Sequence, residues 1–419
     1  MNKAINLEKI IRWVDKILEI SLWGLIFTLP FSKSMLEIFF FAALVSWVLG
    51  RILKHKRGDS LFKLIKLTST DLNLPIAVFA AINFISMLTS VSLSLSLEGF
   101  FLKLGEGLLI YFILIDSINT RGKIMRLLMV LISSMILISF DGIFQSITGT
   151  DFLRGKETFH NIHSVTASFG NPNDFAVWLI IMIPMALILA YFWKKKERYL
   201  TPILWATSAI LMACLILTHS RSAFVALMVS LLVVGIFKAK RLGIALVLIF
   251  VVLFIAMPDL ANTFFMKTNR KSIFTLENRT VAVRKKTWIE AGKIIKDHPL
   301  VGSGPNTYAY IAPQYKVSEE TGIYPHNSYL RMAAESGILG LGAFLWMLAI
   351  LFRTLFGAFK RVKDSLYSTL LLGIITGLFA FFMHSFVDTN IYSMQVGMLM
   401  WFMIAFGISI QKTAHIENE

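Results

Sequence analysis

Apolar runs of about 20 residues, the length a helix needs to cross a bilayer, recur along this chain, separated by short polar connections. Twelve runs fit, at 17–31, 34–52, 73–91, 98–116, 125–147, 173–193, 200–218, 221–237, 241–257, 337–356, 366–386 and 391–410. Lysine and arginine collect in alternate connections, at 51–66, 121–126, 194–198, 238–241 and 360–363. The positive-inside tendency assigns those turns to the cytoplasm and the intervening ones to the outside. One outer connection breaks the rhythm, a long polar excursion between Met257 and Gly337. The pattern therefore predicts an all-α integral membrane protein of about twelve transmembrane helices with one large helical outer loop. Residues 1–257 carry the first nine helices, 258–336 the loop, and 337–419 the last three helices and a cytoplasmic tail, together one integrated membrane domain.

Composition supports the lipid bilayer as solvent: 56% of the 419 residues are hydrophobic, and the mean hydropathy is +0.70. The net charge of +16 reads as inside bias rather than as a nucleic-acid footprint, because no basic cluster is interleaved with exposed aromatics. The outer loop adds a basic surface of its own, with Arg279, Arg284, Lys285, Lys286, Lys293 and Lys296; long loops translocate largely regardless of charge. Cys214, the only cysteine, lies inside an apolar run, which excludes an intrachain disulfide and a cysteine-based metal site. Lys3, Lys9, Arg12 and Lys16 precede the first run in the manner of a signal peptide, but no small-residue cleavage site follows, so the reading is a cytoplasmic start and a retained first helix. No internal repeat is visible, which weakens a transporter built from inverted halves.

Three residues stand out chemically. Arg221 lies in Thr218-His219-Ser220-Arg221-Ser222, between two apolar runs at the outer end of a hairpin; on residue type alone it can equally be a snorkelling anchor. Arg284 opens a segment to Asp297 in which Trp288, Ala291, Ile294 and Ile295 recur near helical spacing, predicting an amphipathic helix closed by His298-Pro299. Arg284 precedes Trp288 by one turn and so sits beside the apolar stripe, where a guanidinium can grip a lipid-linked phosphate through paired hydrogen bonds; a helix lying on the membrane with solvated lysines fits the composition as well. The Gly302-Ser303-Gly304-Pro305-Asn306 stretch reads as a tight turn before a phosphate cradle. His326 precedes the N-cap types Asn327 and Ser328, and a helix is expected from Tyr329 to Ser336, ending at Gly337. At that helix start a neutral imidazole can accept a proton, although a capping histidine is more often structural. Asn173 or Asp174 is the expected cap of the sixth span, and His384 with Asp388 reads as a structural pairing at membrane depth. The metal, nucleotide and nucleophile-elbow motifs are absent from the sequence, which supports neither a bound metal nor a cofactor.

The segments Ser168-Phe169-Gly170-Asn171-Pro172-Asn173, Thr218-His219-Ser220-Arg221-Ser222, Arg284-Lys285-Lys286-Thr287-Trp288, Pro299-Leu300-Val301-Gly302-Ser303-Gly304 and His326-Asn327-Ser328-Tyr329-Leu330, followed by Glu335-Ser336-Gly337, resemble in order and placement the bacterial O-antigen ligase and polymerase family. The resemblance implies the transmembrane (GT-C) glycosyltransferase fold in the bacterial inner membrane, with the active site facing the periplasm and no metal. It further implies transfer of a glycan from undecaprenyl diphosphate to a sugar hydroxyl, with inversion: on lipid A-core for a ligase, the first choice, or on a growing repeat for a polymerase. Arg221 and Arg284 are assigned to the donor diphosphate and His326 to the acceptor hydroxyl. Such members often carry a second polar or histidine residue beside the base; Tyr324 and Asn327 stand there instead, which loosens the acceptor assignment. A polysaccharide or lipid transporter, using the basic loop for binding alone, is the reading from a different class.

Overall fold

The computed structural model describes residues 2–56, 67–158, 164–193, 199–237, 272–318 and 323–416. Helices dominate these residues: α1 (Asn2–Thr28), α2 (Lys33–Lys56), α3 (Asn73–Leu88), α4 (Leu93–Glu98), α5 (Glu106–Ser117), α6 (Arg121–Thr148), α7 (Pro172–Phe192), α8 (Leu200–Leu217), α9 (Arg221–Phe237), α10 (Ser272–Asp297), α11 (Tyr308–Ile311), α12 (Ser328–Arg361), α13 (Ser365–His384) and α14 (Met394–Ile416). A π-helical turn, Gly99–Gly105, joins α4 to α5 without interruption. Seven of them, α2, α6, α7, α8, α12, α13 and α14, are long and apolar enough to cross a membrane, and α3 and α9 contain shorter apolar helices. The chain is thus an all-α, multi-pass membrane protein; the ninth run, 241–257, lies outside the described residues.

The innermost helix is α7, every residue of which from Phe175 to Ala190 is buried. It packs against α13, α8 and α9. The approach to α13 is close because that helix offers glycines: a Cβ at Gly377 would stand 2.6 Å from the Ile181 carbonyl oxygen and one at Gly373 3.0 Å from the Met185 Cα. Small residues of this kind let helix backbones meet where lipid gives no hydrophobic drive to association. Around this core, α1 pairs with α2 and α6, α3 with α12, and α5 with α14.

Two helices start elsewhere than the sequence reading expects. The cap of α7 is Asn171, whose Oδ1 accepts from the backbone N–H of Asn173 at 2.6 Å and of Asp174 at 3.3 Å. Pro172, lacking an N–H and fixed at a helical φ, takes the first helical position and places the cap at Asn171, upstream of both expected residues. The released side chains bond elsewhere: Ser220 Oγ donates to Asn173 Oδ1 and Ser393 Oγ to Asp174 Oδ2, both at 3.1 Å. The Arg284 helix begins earlier than expected, at Ser272. Its end agrees, with the His298 N–H closing on the Ile294 carbonyl at 2.9 Å.

The tenth expected span and the helix after His326 are one element, α12, broken at Gly337 (φ 70°, ψ −178°). The 299–304 turn fills the break. The N–H groups of Ser303 and Gly304 donate to the Ala334 and Glu335 carbonyls, both at 2.9 Å, while those of Ile338 and Leu339 donate to Pro299 and Leu300 at 2.9 and 3.2 Å. The four backbone bonds satisfy groups that the break would otherwise orphan. They also use the N–H groups that a phosphate cradle would need, so Gly302-Ser303-Gly304 is a docking turn. Only glycine fits the break, since a Cβ on Gly337 would lie 2.0 Å from the Leu300 oxygen.

Candidate functional site

His326 is held by the start of α12. Asn327 caps that helix, its Oδ1 accepting from the N–H of Tyr329 at 2.9 Å and of Leu330 at 3.0 Å. Ser328 ties the same point to the turn after α13: its N–H donates to the carbonyls of Ser385 (2.9 Å) and Asp388 (3.0 Å), and its hydroxyl donates to the Asp388 carbonyl at 2.8 Å. These bonds bring two distant segments together and leave His326 itself outside the helix, in a left-handed conformation (φ 46°). Its Nδ1 lies 3.6 Å from Asp388 Oδ1, the imidazole 45% exposed and the carboxyl 17%. Burial alone would raise the Asp388 carboxyl. The adjacent His326, His384 and the Thr389 N–H outweigh it and hold the group below its ordinary 3.8. With Nδ1 turned to a carboxylate, Nε2 is the ring atom left for a ligand.

The α10 helix approaches from the loop side. Ala291 and Ile294 are fully buried in a small core with Tyr308, Ile311, Ala312 and Ala334, whereas Lys285, Lys293 and Lys296 are exposed. Trp288 straddles the boundary at 41% exposure and donates from Nε1 to the Pro325 carbonyl at 2.8 Å. This bond fixes α10 to the residue before His326. Arg284, one turn earlier and half-buried, makes no hydrogen bond or ion pair with a described side chain.

Arg221 is the first residue of α9. It follows a tight turn in which His219 is left-handed (φ 56°) and donates or accepts at Nδ1 with Ser164 Oγ at 3.1 Å. The neighbouring Ser222 reaches His384, with Oγ and Nε2 3.0 Å apart. His384 is fully buried, and its Nδ1 has no hydrogen-bond partner among the described residues. Geometry relates the three residues singled out in the sequence indirectly: His326 lies against Asp388, the Arg284 helix is bonded through Trp288 to Pro325 beside His326, and Ser222, next to Arg221, reaches His384, four residues before Asp388. The His384 and Asp388 pair, expected to be structural, is the element that links them.

One further residue of this neighbourhood escaped the sequence reading. Arg331 is 5% exposed, donates from Nε to Glu335 Oε1 at 2.9 Å, and lies over the rings of Tyr324 at 4.6 Å and Tyr392 at 3.9 Å. Tyr324 precedes His326 and Tyr392 follows Asp388, so one cation clasps both flanks of the His326–Asp388 pair. An oppositely charged i, i+4 pair inside an otherwise apolar helical window was the available signal. Among the described residues, no group of three or more His, Cys, Asp or Glu could hold a metal ion. A half-exposed imidazole and two guanidiniums are residue types suited to an anionic ligand that also presents a proton donor.

Residues 206–345 match the family described as O-antigen ligase. The matched stretch contains Arg221, Arg284 and His326, and the match supports the O-antigen ligase family and its wider ligase and polymerase superfamily. No curated protein matches the chain.

Proposed function

We propose that this protein is an inverting glycosyltransferase of the O-antigen ligase type, transferring a glycan from undecaprenyl diphosphate to a sugar hydroxyl of lipid A-core at the periplasmic face of the inner membrane. The observation that carries the reading is the His326–Asp388 pair, with the Arg284 helix bonded beside it through Trp288 and the Arg221 turn tied by Ser222 to the helix that leads to Asp388. The twelve-helix layout, the transmembrane glycosyltransferase fold and the division at residues 257 and 336 belong to the same proposal.

In this mechanism the two guanidiniums grip the diphosphate through paired hydrogen bonds. The acceptor oxygen attacks the anomeric carbon from the face opposite the diphosphate. As the new C–O bond forms, the acceptor proton passes to His326 Nε2. The bond from the anomeric carbon to the phosphate oxygen breaks, and its electron pair leaves on the diphosphate, whose growing charge Arg221 and Arg284 stabilise. Asp388, close to Nδ1, stabilises the imidazolium that results. The step draws its charge stabilisation from side chains, without a metal.

A polymerase would use the same donor and the same three residues, differing in the hydroxyl presented to His326. A deletion strain separates the two: a ligase deficit leaves finished polymer on undecaprenyl diphosphate and core without O-chain, whereas core bearing a single repeat identifies a polymerase. Purified His326→Ala distinguishes transfer from transport. It should bind the lipid-linked donor and lose about 100- to 10,000-fold in transfer rate; unchanged transfer with an earlier melt would reduce His326 to a structural role.

A further inference from the structure

We infer that the end of the bundle opposite His326 holds a second binding site, a charged cavity between α1, α2 and the α5–α6 connection, which takes a phosphoethanolamine group supplied by an aminophospholipid of the surrounding bilayer. The inference does not depend on the glycosyltransferase reading.

The cavity has a volume of about 480 Å³, within the range of about 300–1,000 Å³ typical of small-molecule sites. Its position follows from α13. Asn119 and Lys123 line the cavity, and Arg121 between them reaches Asp364 at 2.7 Å, the residue that caps the start of α13. The other end of α13 is His384, and a helix of 20 residues spans about 30 Å. The cavity and the His326–Asp388 pair therefore stand apart by about the thickness of a bilayer's hydrocarbon core.

Charge identifies the occupant. Three carboxylates, Asp15, Glu19 and Asp116, and three permanent cations, Arg51, Lys54 and Lys123, line the space together with His55. Such a balance offers a purely anionic ligand no net attraction. Asp116 is taken up locally, accepting from Trp47 Nε1 at 2.9 Å and from Arg51 and Thr68. The remaining charges divide by wall: Asp15 and Glu19 belong to α1, Lys54 to α2 and Lys123 to α6. Lys123 Nζ donates to neutral acceptors, the Ser117 carbonyl at 2.8 Å and Asn119 Oδ1 at 3.5 Å, and makes no ion pair with a described residue. It stands in the first turn of α6, where the positive end of the helix adds to its field. Ser117 lines the cavity as well, and its buried hydroxyl has no hydrogen-bond partner among the described residues.

Lys54 and Asp15 meet at 2.9 Å with their side chains 39% and 43% exposed. An ion pair so exposed contributes little, so a ligand that offers each member a partner can replace it. A phosphate joined to a primary ammonium does this, with the phosphate on Lys54 and Lys123 and the ammonium on Asp15 and Glu19. Glu19 already holds Arg126 at 2.8 Å, and a carboxylate has room for a further donor. The source is a lipid because the neighbouring surface is apolar: towards the middle of the bundle, Ile20 on α1 and Val45 and Val48 on α2 are exposed and can carry acyl chains.

The test is native mass spectrometry of the full chain in detergent micelles, titrated separately with dioleoyl phosphatidylethanolamine, phosphatidylglycerol, phosphatidylcholine and free phosphoethanolamine, beside a thermal melt. One phosphatidylethanolamine should bind at least about tenfold more tightly than any of the others, a tenfold step being about 1.4 kcal/mol, and should raise the melting temperature. Lys123→Gln should lower that affinity about tenfold, and Lys54→Gln makes the same test from the other wall should the first variant not fold. Asp15→Asn, which keeps the shape of the side chain, should erase the preference over phosphatidylglycerol. Equal binding of the three lipids, tighter binding of phosphatidylglycerol, or an unchanged preference in Asp15→Asn would each overturn the inference. Free phosphoethanolamine binding as tightly as the lipid would overturn the membrane source. Binding needs no turnover, so His326→Ala should bind phosphatidylethanolamine as the unaltered chain does; lipid binding lost in that variant would contradict a site separate from His326.

Discussion

Replacing Asp388 by asparagine removes a charge while keeping the side chain's shape and the backbone carbonyl that accepts from Ser328 at 3.0 Å. In the proposed transition state His326 becomes cationic, and the carboxylate stands 3.6 Å from its Nδ1. At that separation Coulomb's law gives about 4.6 kcal/mol for an effective dielectric of about 20 and about 1.2 kcal/mol for bulk water. The imidazole is 45% exposed and the carboxyl 17%, so solvent screening pulls the value well below the first figure. About 2 kcal/mol remains, equivalent to a rate loss of about 30-fold. The assay is glycan transfer by purified protein in nanodiscs at saturating donor, read alongside a thermal melt. A turnover deficit of this size with donor affinity retained supports Asp388 as a positioning residue. A loss as deep as that of His326→Ala would make Asp388 the base, and a change of less than about twofold would remove it from the mechanism.

Arg221→Lys and Arg284→Lys keep their charges and lose the bidentate fork, so each should lower kcat/KM for the lipid-linked donor by about 10- to 100-fold, the worth of a charge-assisted hydrogen bond; near-normal kinetics in both would leave them as membrane anchors. Gly337→Ala places a Cβ 2.0 Å from the Leu300 oxygen at a φ of 70°, in a region essentially reserved for glycine, and should cost about 3 kcal/mol or more, seen as lost folded yield; a normal melting curve would contradict the described break. In a Cys214→Ser background, Gly292→Cys, exposed with open space around it, should react with a membrane-impermeant thiol reagent in intact cells, whereas Lys363→Cys should not. The reverse pattern would invert the proposed topology.

What the sequence disclosed was the chemistry that local geometry decides. Asn327 as a cap and Gly337 as a helix end were legible because capping and a positive φ are properties of a few adjacent residues. The rule for proline at a first helical position would have found Asn171 as well, had it been weighed against the two polar residues that follow. The upstream reach of α10 was not legible, since the stretch from Ser272 lacks a clear apolar stripe. Asp388 was visible as an ionisable group beside a membrane helix, but its choice of His326 depends on Ser328 docking onto the turn after α13, a tertiary event with no local signature.

The exchange of backbone hydrogen bonds at Gly337 bears on how the protein comes into being. The loop closes onto α12 through four main-chain bonds. The same junction reaches α3, where Ser86 Oγ donates to the Glu335 carbonyl at 2.8 Å and Ser336 Oγ to Asn83 Oδ1 at 2.6 Å. Bonds that join the loop to two bilayer helices cannot form until both helices are inserted and paired. During synthesis the Arg284 helix therefore emerges well before the surface it needs, and reaches its working position only once α12 has been made. A loop excised at residue 336 would carry Ser303 and Gly304 N–H groups whose acceptors sit at the cut, so the loop is a late-closing part of the membrane bundle rather than a domain that arrives already folded.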